Sequence, residues 1–263
     1  KLNNEKILVL REQGVGDEIL YSSMYQELNH FNQNVYFESD PRLLSLFNRS
    51  FKIKLYPVNT FSKNRKKLKN FDKIIFAGSL GKIFRKKINN FSKKNSYILT
   101  NKKIVEDIQL RLTQINNKPK IGISWFSKNK RIGGGKSIKL QELLPILELK
   151  EVSYVNMQYD NRKEEIKELK EQTDIEIIEL DDIDKFNDFE SLAALIDSLD
   201  LFITVSNTTA HLSGAIGKET WVMAPKNDSL LFYWNTGETK TPWYPKVKIY
   251  PKINKWEKTI KEV

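Results

Sequence analysis

Three clusters of side chains in this sequence have the types and spacing to do chemistry. Ser206-Asn207-Thr208-Thr209 is a run of small polar residues, with His211 two positions beyond it. At a helix start, such a run aims hydroxyls, unpaired backbone N–H groups and the positive dipole end at one point, where a diphosphate fits. The same residues are ordinary helix caps, and spacing alone leaves both roles open. His211 either donates to a phosphate or sits satisfied against a sheet. In the second cluster, Asp17 and Glu18 follow Gly14-Val15-Gly16. The glycines allow a sharp turn and leave room for a ligand. Asp17 either complements the dipole of the helix it begins or acts as a general base at the mouth of a cleft. The third cluster, residues 126–137, carries Lys128, Lys130, Arg131, Gly133-Gly134-Gly135 and Lys136. It reads as a phosphate cradle or as a mobile surface loop. It is not a Walker A loop, because the glycine required ahead of Gly135-Lys136-Ser137 would fall on Lys130. Nor does Gly14-x-Gly16 complete a dinucleotide fingerprint, since Ile19 takes the third glycine's place, which disfavours NAD and FAD.

Each cluster needs a strand and a helix to position it. Residues 201–205 (LFITV) read as a buried parallel strand. A helix over 210–216 stops at Gly217, and a strand covers 220–224. Residues 6–10 (KILVL) form a first strand, with a helix running to about Asn29 behind the glycine turn. Further strands are expected at 35–38, 51–56, 73–76, 120–125, 152–158 and 175–178. Helices are expected from Asp40-Pro41, over 102–115, 140–149 and 161–171, and over 192–199. This alternation is α/β. The polar stretch Asn116-Asn117-Lys118-Pro119 divides it into domains of residues 1–117 and 118–263. The tail, with Trp234, Trp243-Tyr244-Pro245 and Trp256, is expected to lie across the body of the protein.

Composition narrows the function classes. A chain of 263 residues with 40% hydrophobic and 11% aromatic residues can build the cores of two domains. It has no cysteine and only two histidines, His30 and His211, which excludes disulfides, thiolate metal sites and multi-histidine zinc sites. No run of 18 apolar residues occurs, and the opening KLNNEK is not a signal peptide. Opening on Lys1 without methionine, the chain reads as a piece of something longer. Residues 61–94 hold twelve Lys or Arg and one acid, Asp72, a surplus that equals the whole chain's net charge of +11. The segment is either a solvated lysine-rich surface or a peripheral contact with anionic membrane. Aromatic interleaving is thin there, so no nucleic acid partner is expected.

The motifs together resemble the heptosyltransferase-like (family 9) glycosyltransferases, most of all the version found in bacterial tetratricopeptide-repeat proteins. The resemblance rests on EQGVGDEI at 12–19, on IGISW at 121–125 followed by Lys136-Ser137-Ile138, on DFESLAALIDSLDLFITVSNTTAHLSGAIGK at 188–218, and on Pro242-Trp243-Tyr244-Pro245. It implies a GT-B architecture, two Rossmann-like domains facing across a cleft, with the acceptor on the 1–117 side and the nucleotide-sugar on the 118–263 side. It also implies an inverting transfer, without metal or other cofactor, from a nucleotide-diphosphate-sugar to a hydroxyl of a glycan, lipid-linked or protein acceptor. Asp17 would then be the catalytic base, with Gly14 and Gly16 as the loop glycines. Lys136 would neutralise the diphosphate with Ser206, Asn207, Thr208, Thr209 and His211, and Trp125, Gln158 and Asp188 would line the nucleotide side. One departure weakens an ADP-heptose donor. Ser206 stands where heptosyltransferases commonly have an acid, and Asn207-Thr208 where they have Thr-Gly. The expected location is cytoplasmic, at the inner face of the membrane. The alternative is a non-catalytic sugar-nucleotide-binding or interaction domain of a larger repeat protein.

Overall fold

The computed structural model describes residues 5–129, 131, 133–226, 230–234, 239–253 and 255–263. Lys130 lies outside the described residues. The first sheet has four parallel strands in the order β3-β2-β1-β4, with β1 Ile7–Leu10, β2 Val35–Ser39, β3 Lys54–Pro57 and β4 Lys73–Phe76. The second has seven, in the order β10-β11-β9-β8-β5-β6-β7. Its members are β5 Lys120–Ser124, β6 Ser153–Asn156, β7 Ile177–Ile178, β8 Leu201–Val205, β9 Thr220–Ala224, β10 Lys240–Thr241 and β11 Tyr244–Pro251. Among the described strands only the β10–β11 pair is antiparallel.

The apolar runs took the central places because parallel strands between two covered faces must be apolar throughout. Ile7, Leu8 and Val9 are fully buried, and all of β5 is buried. The second sheet separates two cores. Phe202 and Val222 face one, while Ile121, Ile123, Ile203 and Met223 face the other, as a side-chain period of two requires. The first core is continuous with that of the four-stranded sheet.

The main helices are α1 Val15–Ser22, α2 Tyr25–Phe31, α3 Leu44–Ser50, α4 Lys102–Ile115, α5 Lys163–Thr173, α6 Phe189–Asp197 and α7 Thr208–Ile216. The single helix expected up to Asn29 is instead two, because the chain turns at Ser23 and Met24 between α1 and α2. Residues 140–149 form a 3-10 turn and one short helix, with Pro145 at the second helix's start. The tail does more than cross the body. It adds β11 to the sheet beside β9, with Tyr250 opposite Met223. Helix α4 turns Val105, Ile108 and Leu112 inward and packs on α6, so its apolar stripe serves the second half although it precedes Pro119. Among the described residues no helix is long and apolar enough to cross a membrane.

The chain reverses direction across β1 in the first sheet and between β5 and β8 in the second. In open α/β sheets the crevice for ligands opens at such switch points, beyond the carboxyl ends of the strands. Here α1 leaves the end of β1 and α7 leaves the end of β8, and the two helices pack on each other. Their approach depends on Gly16. A Cβ there would lie 2.9 Å from His211 Cδ2 and 3.4 Å from Thr208 Cα. Helix α7 is buried along almost its whole length and ends at Gly217, whose φ of 83° is open to glycine at little cost.

Glu18 fixes the first of these crevices. It is fully buried and accepts from Arg11 Nε at 2.6 Å, Ser39 Oγ at 2.5 Å and the Asp40 N–H at 3.0 Å. One carboxylate thus ties the end of β1, helix α1 and the end of β2. Removing it leaves Arg11 and two donors facing a cavity, so Glu18→Ala is expected to cost about 3 kcal/mol of stability. Urea denaturation at neutral pH measures this. A loss within ~0.5 kcal/mol, the range of an ordinary surface substitution, would contradict it.

Candidate functional site

Between the two helix starts lies a cleft of ≈ 160 Å³. Its lining includes Gly14, Gly16 and Asp17 from the first half, and Ser127, Asn129, Lys136, Tyr159, Ser206, Asn207, Thr208, His211, Leu231 and Tyr233 from the second. The three clusters picked out by residue type are therefore brought to one place.

Asp17 is the third residue of α1, and its Oδ2 accepts from the Gly14 N–H at 3.1 Å. This is the acidic half of a capping box, so the dipole-complementing role is present. Burial nevertheless raises the carboxyl's pKa, against the lowering effects of the Gly14 N–H and the Lys136 ammonium. The turn before it is tight. Gln13 sits at φ 60°, a left-handed conformation that non-glycine residues avoid, and Glu12 reaches the Gly78 N–H at 2.7 Å.

Lys136 closes a short helical turn, Gly133–Lys136, inside what the sequence suggests is an open loop. The turn is pinned. Gly133 N–H donates to Asn129 at 2.7 Å, Ser137 Oγ to the Gly133 carbonyl at 2.7 Å, and Ile138 N–H to the Trp125 carbonyl at 2.9 Å. Lys136 is 3% exposed, and burial lowers its pKa to about 8, with Asp17 pulling the other way. A buried ammonium, only partly balanced by a carboxylate, is a seat for an anion.

The Ser-Asn-Thr-Thr run divides its labour. Asn207 is the cap: its Oδ1 accepts from Ala210 N–H at 3.1 Å and Thr209 Oγ1 at 2.7 Å, and its Nδ2 donates to Ser124 Oγ at 2.9 Å across to β5. Ser206 Oγ accepts from Trp234 Nε1 at 2.8 Å. Among the described residues, Thr208 Oγ1 alone of the run has no protein partner. His211 is buried and stacks on Trp234, and burial lowers its pKa to about 3, with Lys136 adding to the effect. It is neutral at physiological pH.

Three residues expected on the nucleotide side do not line this cleft. Trp125 is buried in the second core and donates through Nε1 to Glu165 at 2.8 Å. Gln158 Oε1 collects Ser124 Oγ, Trp125 N–H and Phe126 N–H at 3.1–3.2 Å, bracing the turn after β5. Asp188 is exposed and caps α6, accepting from Glu190 and Ser191 N–H. These side chains satisfy backbone groups that the strand and helix ends would otherwise leave unpaired.

A second lobe of ≈ 190 Å³ adjoins the first through Tyr159 and Thr208. It has an aromatic lining of Phe186, Phe189 and Tyr159, with Arg42, Lys128 and Lys185 around it. The sequence analysis singled out Lys128 but none of the others. Nothing in their spacing marks them, because they arrive from α6 and from turns following β2, β6 and β7. Among the described residues no group of three or more His, Cys, Asp or Glu is placed to hold a metal ion.

No protein-family model matches the chain. The architecture is shared with solved structures over nearly the whole chain. The glycosyl transferase family 9 protein from Veillonella parvula DSM 2008 superposes with a TM-score of 0.65 at 14% identity, covering 98% of this chain and 91% of that one. The E. coli ADP-heptose LPS heptosyltransferase II gives 0.64 at 13% identity, covering 98% and 94%. The resemblance and the two-sheet α/β fold expected from the sequence are thus found in three dimensions. In sequence, the chain is 26% identical over 278 residues to protein FlbA of Caulobacter vibrioides, spanning 46% of that protein's length.

The site's electrostatics make a prediction by themselves. Lys136 is charged below about pH 8 and neutral above it. Calorimetric binding of inorganic diphosphate is therefore expected to weaken as pH rises through about 8. Lys136→Met should lose affinity on the order of tenfold at pH 7 and lose this step in the profile. A wild-type profile that parallels the variant's would remove Lys136 from the anion site.

Proposed function

We propose that the protein is an inverting glycosyltransferase that uses a nucleotide-diphosphate-sugar and a hydroxyl acceptor. The observation that carries this reading is the meeting of Asp17 and Lys136 in one cleft, between two helix N-termini at facing switch points. The fold neighbours, one of them an ADP-heptose enzyme, support it.

In this reading the diphosphate lies against Lys136, Thr208 and the start of α7, and the base enters the aromatic lobe at Tyr159, Phe186 and Phe189. Asp17 takes the proton of the acceptor hydroxyl as its oxygen attacks the anomeric carbon. The bond from that carbon to the diphosphate breaks on the opposite face, which inverts the centre. A carboxylate made more basic by burial suits the first task. A buried ammonium and a helix N-terminus suit the second, since negative charge grows on the leaving oxygen. The step needs no metal: Lys136 supplies the charge that a cation would bring. The donor need not be ADP-heptose, given Ser206 and Asn207.

A thermal-shift panel of UDP, GDP, ADP and CMP with their common sugar conjugates, run with EDTA, identifies the donor, because a ligand of the folded state raises the melting temperature. Asp17→Asn is then expected to keep donor binding while turnover falls on the order of 10²- to 10⁴-fold. Unchanged turnover would remove Asp17 as base. If wild type binds a nucleotide-sugar without any turnover, the non-catalytic domain is the right description.

The acceptor side includes the basic segment 61–94. Arg85 there is consumed by Glu27 and Lys73 by Glu5, whereas Phe76, Ile83 and Ile88 are exposed among the remaining lysines. Cations around exposed apolar side chains suit an anionic lipid surface. The protein should therefore sediment with phosphatidylglycerol vesicles at low salt and not with phosphatidylcholine. Recovery with neither would show that the segment is only a solvated face, and equal recovery with both would show that its cations play no part.

A further inference from the structure

The Pro242-Trp243-Tyr244-Pro245 motif takes no part in the transfer chemistry, yet the fold brings Trp243 close to the cleft. Trp243 occupies the turn between β10 and β11 and is half-buried. Its ring meets Phe91 of the basic segment at 88° with centroids 4.9 Å apart, and Phe232 at 6.5 Å. Phe232 is 61% exposed and packs on Tyr233 at 5.0 Å. Tyr233 in turn lies 4.6 Å from the His211 ring and lines the cleft with Asp17. A track of aromatic rings therefore runs from the cleft to the surface of the first half. Neither Tyr233 nor Phe232 lines the lobe proposed for the base, so the track is a separate branch. It is held from beneath. The buried Thr241 hydroxyl donates to the Tyr233 carbonyl at 2.8 Å and accepts from the Trp243 N–H at 3.3 Å, which ties the two turns together. The Trp234 N–H closes the other turn on the Leu231 carbonyl at 2.9 Å. Aromatic rings fixed in place and left open to solvent beside a cleft mark a contact surface.

We infer that Phe91, Phe232 and Trp243 form the acceptor subsite, and that its occupant is a pyranose ring of a glycan acceptor. The assignment rests on the transfer reading. A pyranose has a face of C–H groups to lie against an aromatic ring, with hydroxyls at its rim. Among the described residues the indole N–H of Trp243 has no acceptor, and a sugar hydroxyl supplies one. An acyl chain offers that N–H nothing. Neighbouring rings inclined at 67–88° also present separate faces, where a lipid chain would need one continuous groove. A peptide strand pairs with free backbone donors and acceptors, and the two turns spend theirs internally. A glycan seated on the track extends past Tyr233 toward Asp17, the base of the proposed transfer.

Fluorine NMR of the full chain labelled with fluorotryptophan tests this, with Trp243→Phe assigning the Trp243 resonance. Methyl glycosides of glucose, galactose, mannose, rhamnose and N-acetylglucosamine are titrated at millimolar concentration, beside phosphatidylglycerol vesicles and a Ser/Thr-rich peptide. At least one glycoside is expected to shift the Trp243 resonance and to leave that of the buried Trp125 in place. Phe232→Ala, at an exposed position, should weaken this binding about tenfold, and Phe232→Tyr, which keeps a ring, should restore it. A shift from vesicles or peptide and from no glycoside, or no shift from any probe, would overturn the assignment. In turnover with the glycoside that binds, Phe232→Ala should raise the acceptor KM about tenfold and leave the donor KM within about twofold. Equal rises in both would reduce Phe232 to a structural role and overturn the subsite. If a glycoside binds at Trp243 but no nucleotide-sugar binds the protein, the transfer reading and the acceptor role fall together and a plain sugar site remains. If a donor binds and no glycoside does, the subsite fails alone.

Discussion

The packing of the first turns of α1 and α7 on each other is the constraint on which the rest of this structure depends. Two helix N-termini that line one cleft bring like ends of their dipoles near one another, which is unfavourable unless something negative sits between them. Asp17 supplies part of that charge from within the chain, and its carboxylate also completes the cap of α1. The contact closes only because residue 16 has no side chain. A larger residue there would push His211 and Thr208 away, and the cleft would lose the wall that carries its hydroxyl and its imidazole. The pairing of the two halves and the chemistry of the site are therefore one problem with one solution.

Burial then sets the character of every titratable group in the cleft. It raises Asp17, brings Lys136 to about 8 and lowers His211 to about 3. All three are moved toward their neutral forms because the charged form loses solvation. Asp17 and Lys136 moderate each other, so the free site is poised and not strongly charged. An incoming diphosphate changes the balance, since its negative charge favours protonated Lys136 and the two helix ends at once. The same dryness that makes the free lysine reluctant to be charged makes its interaction with an anion stronger.

Much of this was legible in the sequence, and the reasons for success and failure are physical. β8 and β9 fall at the residues their apolar runs indicate, and α7 starts two residues earlier than the sequence suggested, at Thr208. A buried parallel strand and a glycine-stopped helix leave little freedom in pattern. Asp17, Lys136, Thr208 and His211, picked out by type and local spacing, all line one cleft, because their segments follow strand ends, where switch-point geometry opens a crevice. Gln158 and Trp125 show the limit. Their positions at strand ends look the same in sequence, but their side chains turn inward to pair backbone and carboxylate groups. β11 was not anticipated, because YPKVKIYP alternates lysine with apolar residues and opens near proline, as an edge or a linker would. Phe186 carries no local mark at all, and tertiary packing alone brings it to the cleft.

Ser206 shows how a single departure can follow from its neighbours. Its oxygen is held by the Trp234 indole N–H, and the same indole lies against the His211 ring. An acid at this position would also accept from Trp234, but it would place a buried negative charge beside the start of α7, on the side where the diphosphate is proposed to bind. Such a charge would stabilise protonated His211 and turn its Nε2 into a donor. With a neutral hydroxyl instead, burial and the nearby Lys136 both favour the uncharged ring, and the imidazole stays neutral.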